Sequence, residues 1–188
     1  MTDRLGYRMK AAVLAPSTNT IVEPEYYMMA PHGVTFHIGR VFIRDQVISD
    51  DNRFENLLVQ IRQYIDDAID SVMTCEPDCI IMGMSAETFW GGKEGNLALQ
   101  KRIGEKTGLR VYTGADACNK ALDAYGVKRI ACISPYQNIG DEAVKRFFED
   151  WGHEVVRIKG LKCPTAASIA PVTEDELRNA ILEVNGPD

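Results

Sequence analysis

Strand-sized apolar runs alternate with amphipathic helical stripes along the whole chain, and this alternation limits the fold more than any other feature. Lys10-Ala11-Ala12-Val13-Leu14-Ala15 is a short apolar run stopped by Pro16, as expected of a buried parallel strand. A second strand is expected over Val34 to Phe42. Phe54, Leu57, Leu58, Ile61, Ile65, Ala68, Ile69 and Val72 then recur at helical spacing, with Asp50 or Asp51 as the cap. Glu76-Pro77-Asp78 ends that helix, and Cys79 to Gly83 reads as the next buried strand. A helix through Leu97, Leu99 and Ile103, a strand over Arg110 to Thr113 and a helix over Asp116 to Tyr125 follow. Strictly alternating strands and helices imply a mainly parallel sheet covered on both faces.

The second part of the chain repeats the first. Val13-Leu14-Ala15-Pro16-Ser17-Thr18-Asn19 parallels Cys132-Ile133-Ser134-Pro135-Tyr136-Gln137-Asn138, with proline and asparagine in register. A helix with Ala143, Val144, Phe147, Phe148 and Trp151 on one face leads to a strand over Val155 to Ile158. Thr173 and Glu176 then form a capping box for a helix through Leu177, Ala180 and Ile181. The expected architecture is α/β: two pseudo-symmetric, doubly wound halves, Rossmann-like or flavodoxin-like, covering residues 1–115 and 116–188. The Pro77-Asp78 stop is followed by a strand, whereas Pro187-Asp188 is followed by nothing, so the second half is expected to be truncated.

With 45% hydrophobic and 26% charged residues the chain is of globular composition. Its net charge of -6 argues against nucleic acid or an anionic membrane as the main partner. The apolar runs are strand-sized, so neither a signal peptide nor a membrane span is expected. Five cysteines at irregular spacing suit reduced thiols and a cytoplasmic location. Cys75 and Cys79 lack the further ligands that a tetrahedral metal site requires. No metal or other cofactor is expected, and a homo-oligomer is left open.

In a doubly wound sheet, ligands bind just past the carboxyl ends of the strands. Three segments fall there: Pro16-Ser17-Thr18-Asn19, Gly83-Met84-Ser85-Ala86-Glu87 and Pro135-Tyr136-Gln137-Asn138. They offer hydroxyls, amides and backbone N–H groups, without Lys or Arg, which suits a small carboxylate held by neutral donors. Ser85 and Tyr136 are the candidate catalytic residues. Pro16, Ser17, Asn19, Gly83, Met84 and Asn138 are the candidate substrate-binding residues. Each has a plainer reading: Asn19 as an Asx brace, Tyr136 as a packed aromatic, Ser85 as a helix cap. Trp90 to Gly95 lacks the phosphate-binding glycine spacings and reads as a flexible lid.

The same residues carry a resemblance. Pro16-Ser17-Thr18-Asn19-Thr20 resembles the first-strand loop of maleate cis–trans isomerases, whose asparagine contacts the substrate. Met82-Gly83-Met84-Ser85, with Phe89, Gly91-Gly92 and Asn96, resembles the matching stretch of arylmalonate decarboxylases. Ser134-Pro135-Tyr136 is similar to the tyrosine loop both groups use for a carboxylate. The chain thus resembles the aspartate/glutamate racemase superfamily, nearest to the group containing those two enzymes. The resemblance implies cofactor-free chemistry on a small acid. It places the first-half cysteine of the superfamily at Gly83, where it is absent, and the second-half cysteine beyond Asp188. Decarboxylation through an enediolate is therefore the leading expectation. Maleate-type isomerisation is the alternative, and a non-catalytic carboxylate-binding protein is the third.

Overall fold

The computed structural model describes residues 3–48 and 50–186. Strand β1 (Met9–Pro16) is followed by helix α1 (Val22–Met28), strand β2 (Val34–Val41), helix α2 (Asp51–Met73) and strand β3 (Cys79–Met82). Helices α3 (Ala86–Phe89) and α4 (Gly92–Thr107), strand β4 (Arg110–Thr113) and helix α5 (Gly114–Ala124) complete the first unit. The second contains β5 (Arg129–Ser134), α6 (Asn138–Asp150), β6 (Glu154–Gly160), a 3₁₀ turn over Ala167–Ile169 and α7 (Glu174–Val184). The sheet changes between β4 and β5, and the boundary expected at 115/116 lies inside α5.

All strand pairs within the two sheets are parallel, in the orders β2-β1-β3-β4 and β5-β6. The chain leaves β1 for one side and returns on the other as β3, so the order reverses between these two strands. That reversal opens a crevice at their carboxyl ends. Ala11 to Ala15 of the central strand β1 are fully buried, which accounts for its unbroken apolar run.

Helix α2 begins as its sequence requires, with the Asp50 carboxylate accepting from the Arg53 N–H at 3.0 Å. All eight apolar residues of its stripe are buried, and each except Ala68 contributes roughly 1.5–3 kcal/mol of transfer free energy. The Thr173–Glu176 capping box is present at the start of α7. The expected apolar face of α7 is only partly covered: Ala180 and Val184 are buried, while Leu177 and Ile181 are 38% and 53% exposed. Among the described residues β5 is hydrogen-bonded to β6 on one side only. The Pro187-Asp188 stop lies outside the described residues.

The stretch expected to be a flexible lid is the first turn of α4, with Gly91 in the left-handed conformation as its N-cap. It forms part of the seam between the units. The Asp150 carboxylate of α6 accepts from the Lys93 N–H at 3.1 Å, and the Lys93 ammonium lies 4.0 Å from the Trp151 ring centroid. Phe89 packs edge-on against Phe147 at 5.2 Å in the same seam. Helix α4 thus locks the two units together by packing, which a local reading of its glycines misses. Among the described residues no helix is long and apolar enough to cross a membrane.

Candidate active site

Three strand ends converge on one cavity of about 370 Å³, within the usual size for a small-molecule site. The loop after β1 contributes Pro16, Thr18 and Asn19, that after β3 contributes Gly83, Met84 and Ser85, and that after β5 contributes Pro135 and Tyr136. Six of the eight residues proposed from the sequence therefore border the same space.

The first loop is a tight turn in which the Asn19 N–H donates to the Pro16 carbonyl at 3.1 Å. Asn19 Oδ1 accepts from the Ile21 and Val22 N–H groups, both at 2.9 Å, and so braces the start of α1. With its oxygen committed to the backbone, the side chain has its amide N–H₂ left to offer a ligand. Ser17 does not line the cavity. Its hydroxyl accepts from the Ile43 N–H at 2.9 Å and pins the segment after β2 to the end of β1.

Gly83 is fixed beside β1 by its N–H, which donates to the Leu14 carbonyl at 2.8 Å. A Cβ at this position would sit 2.7 Å from Val13 Cγ1 and 3.1 Å from the Leu14 carbonyl oxygen. The close approach of two parallel strands therefore favours glycine here. The Ser85 carbonyl accepts from the Thr88 N–H at 2.9 Å and the Thr88 hydroxyl at 2.8 Å, which fixes the loop and leaves the Ser85 hydroxyl free of capping duty.

Tyr136 is buried, and its hydroxyl is hydrogen-bonded to that of Ser85. Phe54 of α2 packs against its ring at a centroid distance of 5.5 Å. Gly140 of α6 gives the side chain room beside Phe54, since a Cβ there would lie 2.5 Å from Tyr136 Cβ. The Tyr136 N–H donates to Ser134 Oγ at 3.1 Å, and that hydroxyl donates in turn to the buried Asp141 carboxylate. Burial pushes the Tyr136 phenol up to about 12, with the Ser85 hydrogen bond pulling the other way, so it remains a protonated donor at ordinary pH. Asn138 sits outside the cavity, where its Oδ1 accepts from the Lys162 ammonium.

The remaining wall is apolar, and no local motif marks its residues. Phe54, Leu57 and Ile61 belong to the α2 stripe, whose helical spacing by itself marks only core. Ile43, Ile48 and Ala166 come from two loops that cross over the site. Those loops are tied by the Ile48 N–H to Pro164 carbonyl bond at 2.7 Å and by a single antiparallel bridge between Val47 and Thr165. Among the described residues the wall carries no Lys or Arg, and Glu25 at an exposed position is its charged member. None of the five cysteines lines the cavity. Burial raises the thiols of Cys79, Cys118 and Cys163 and pushes Cys132 up to about 11, so none of these four is activated as a thiolate.

Neutral donors on an apolar wall stabilise a carboxylate, and more strongly an enediolate, because such a site lacks competing water. The fold is that of enzymes that handle such acids. The maleate cis–trans isomerase of Nocardia farcinica, bound to TRIS, superposes with a TM-score of 0.81 at 17% identity, covering 94% of this chain and 73% of that one. A variant maleate isomerase from Pseudomonas putida S16, solved with maleate, gives 0.80 at 19% identity, covering 96% and 74%. An arylmalonate decarboxylase structure gives 0.71 at 17% identity, covering 93% and 71%. At this identity the likeness is one of fold. No curated protein sequence matches the chain. The family model for arylmalonate decarboxylase matches residues 52–186. That span takes in the Gly83–Ser85 loop, the Tyr136 loop and the seam between the units, and the chain belongs to the arylmalonate decarboxylase family.

Proposed function

We propose that this protein is a cofactor-free enzyme that decarboxylates a small malonate-type acid through an enediolate. The observation carrying this reading is the Ser85–Tyr136 hydroxyl pair at the wall of an otherwise apolar cavity. One proton of the pair serves their mutual hydrogen bond, and the other is available to an anionic ligand. When a malonate loses CO2, the electron pair of the broken C–C bond moves into the remaining carboxylate, which becomes an enediolate. Each donor aimed at its oxygens contributes about 3 kcal/mol to the rate, by analogy with oxyanion holes. Water supplies the proton that returns to carbon to give the monoacid, and the hydroxide left is taken up by the released CO2 as bicarbonate. The apolar wall formed by Ile43, Ile48, Phe54, Leu57, Ile61 and Met84 disfavours a charged carboxylate placed against it. It thereby favours departure as neutral CO2.

A second reading, isomerisation of a maleate-like diacid, is favoured by Asn19, which borders the cavity with its amide N–H₂ uncommitted. Gly83 opposes it, because no nucleophile stands at that position.

Proton NMR in deuterated buffer separates the two. With phenylmalonate, decarboxylation gives phenylacetate carrying deuterium at the α-carbon. With maleate, isomerisation gives fumarate. Turnover of phenylmalonate alone supports the proposal, turnover of maleate alone replaces it with the second reading, and inertness toward both removes both.

A further inference from the structure

Thr18 is central in the Pro16–Asn19 turn, between two residues whose side chains are already committed. Ser17 is turned to Ile43, and Asn19 Oδ1 to the start of α1. Thr18 borders the cavity, and its Oγ1 is buried at the rim without any hydrogen-bond partner. Among the described residues, Glu87 Oε2 and Trp151 Nε1 share that condition, and neither residue lines this cavity. A buried hydroxyl without a partner costs about 1–3 kcal/mol, so its position at the edge of a ligand-sized cavity calls for a bonding partner that a bound ligand supplies.

We infer that the Thr18 hydroxyl is a further substrate-binding donor, which bonds a carboxylate oxygen of the acid held by the Ser85–Tyr136 pair. This rests on the reading of the cavity as a carboxylate site. The donors then come from three separate strand ends: Thr18 after β1, Ser85 after β3 and Tyr136 after β5. The selected ligand has an acid head reached by three hydroxyls and an apolar body against the α2 face.

The test is calorimetric titration of phenylacetate into the wild-type protein and into Thr18→Val, Thr18→Ser, Ser85→Ala and Tyr136→Phe, together with thermal unfolding of each. Thr18→Val keeps the side-chain shape and removes the hydroxyl. It is expected to weaken phenylacetate binding about tenfold, the scale of one hydrogen bond to a charged group. Thr18→Ser should stay within about threefold of wild type by the same argument. The unliganded Thr18→Val protein should unfold at the wild-type temperature or above, because no hydrogen bond is lost. If Ser85→Ala and Tyr136→Phe weaken binding while Thr18→Val does not, the Thr18 inference is overturned and the carboxylate site stands. A Thr18→Val protein that unfolds early also overturns it, by showing a structural hydroxyl. Absence of binding by the wild-type protein removes the carboxylate site and the inference together.

Discussion

The hydroxyls of Ser85 and Tyr136, 51 residues apart and on different units, are hydrogen-bonded to each other across the cavity. Neither loop makes this contact alone. It requires β1 and β3 to open a crevice and the Phe54–Tyr136 packing to carry the second unit into place. If both hydroxyls serve one ligand, Ser85→Ala and Tyr136→Phe should each lower turnover about 10²-fold or more, on the scale of a lost oxyanion donor. The double variant should lose less than the sum of the two, as expected for groups in one network. Steady-state kinetics of the four proteins checks this, and strict additivity would show that the hydroxyls act on separate groups.

Gly140 reverses an ordinary helix rule. Glycine to alanine within a helix normally gains about 0.5–1 kcal/mol. Here the added methyl would meet the Tyr136 side chain and come within 3.2 Å of Phe54 Cζ. Gly140→Ala should therefore destabilise the protein by about 1–3 kcal/mol through overpacking, and it should weaken carboxylate binding by displacing Tyr136. Urea unfolding and a binding titration on the same variant test both effects. Greater stability with unchanged binding would contradict the packing described.

Gly83→Cys would supply the thiol that the superfamily resemblance places at that position. Its Cβ would press on the fully buried Val13 and the Leu14 carbonyl of β1. The expected cost is about 1–3 kcal/mol, and Val13→Ala in the same protein should recover part of it by making room. Denaturant midpoints of the single and double variants decide the matter. A Gly83→Cys protein as stable as wild type would mean that the strands separate more readily than their register implies.

Glu87 gives a pH signature. Burial raises its carboxyl above the ordinary value, opposed by the hydrogen bond and charge of Arg62, whose Nε lies 2.7 Å from Glu87 Oε1. Between the ordinary and the raised value the folded protein holds a proton that the unfolded chain has released. Stability from this group therefore falls as pH rises through that window. Buried Asp141 is raised as well and acts in the same direction. Glu87→Gln should remove the Glu87 share and flatten the decline, as read from urea midpoints between about pH 4 and pH 8. An identical pH profile in wild type and variant would show that Glu87 is not the titrating group.

Much of the fold can be read from local signals. The runs ending at Pro16 and Pro135 mark strands, the first of them buried, Asp50 caps α2, and the Thr173–Glu176 pair opens α7. Helix α1 escapes such a reading because it buries none of its own residues and depends on the Asn19 brace at its start. The glycines before α4 suggest mobility until Asp150 and Trp151 of the other unit are placed against Lys93. In the site, the strand-end rule finds Pro16, Asn19, Gly83, Met84, Ser85 and Tyr136. A motif does not determine which of two adjacent residues borders the cavity, and here it is Thr18 rather than the expected Ser17. Asn138 matches Asn19 in the repeat, but α6 already begins at Asn138 whereas α1 begins at Val22, and the Asn138 side chain meets Lys162 instead. The apolar wall requires loops 122 residues apart to meet, as when the Ala167 N–H donates to Asp45, and no local pattern records that.

The most direct measurement is a crystal structure of the protein soaked with phenylacetate. The account predicts one carboxylate within hydrogen-bonding distance of both the Ser85 and Tyr136 hydroxyls, with the ring against Phe54 and Leu57. A ligand bound elsewhere, or with its ring at the hydroxyl pair and its carboxylate in solvent, would contradict it.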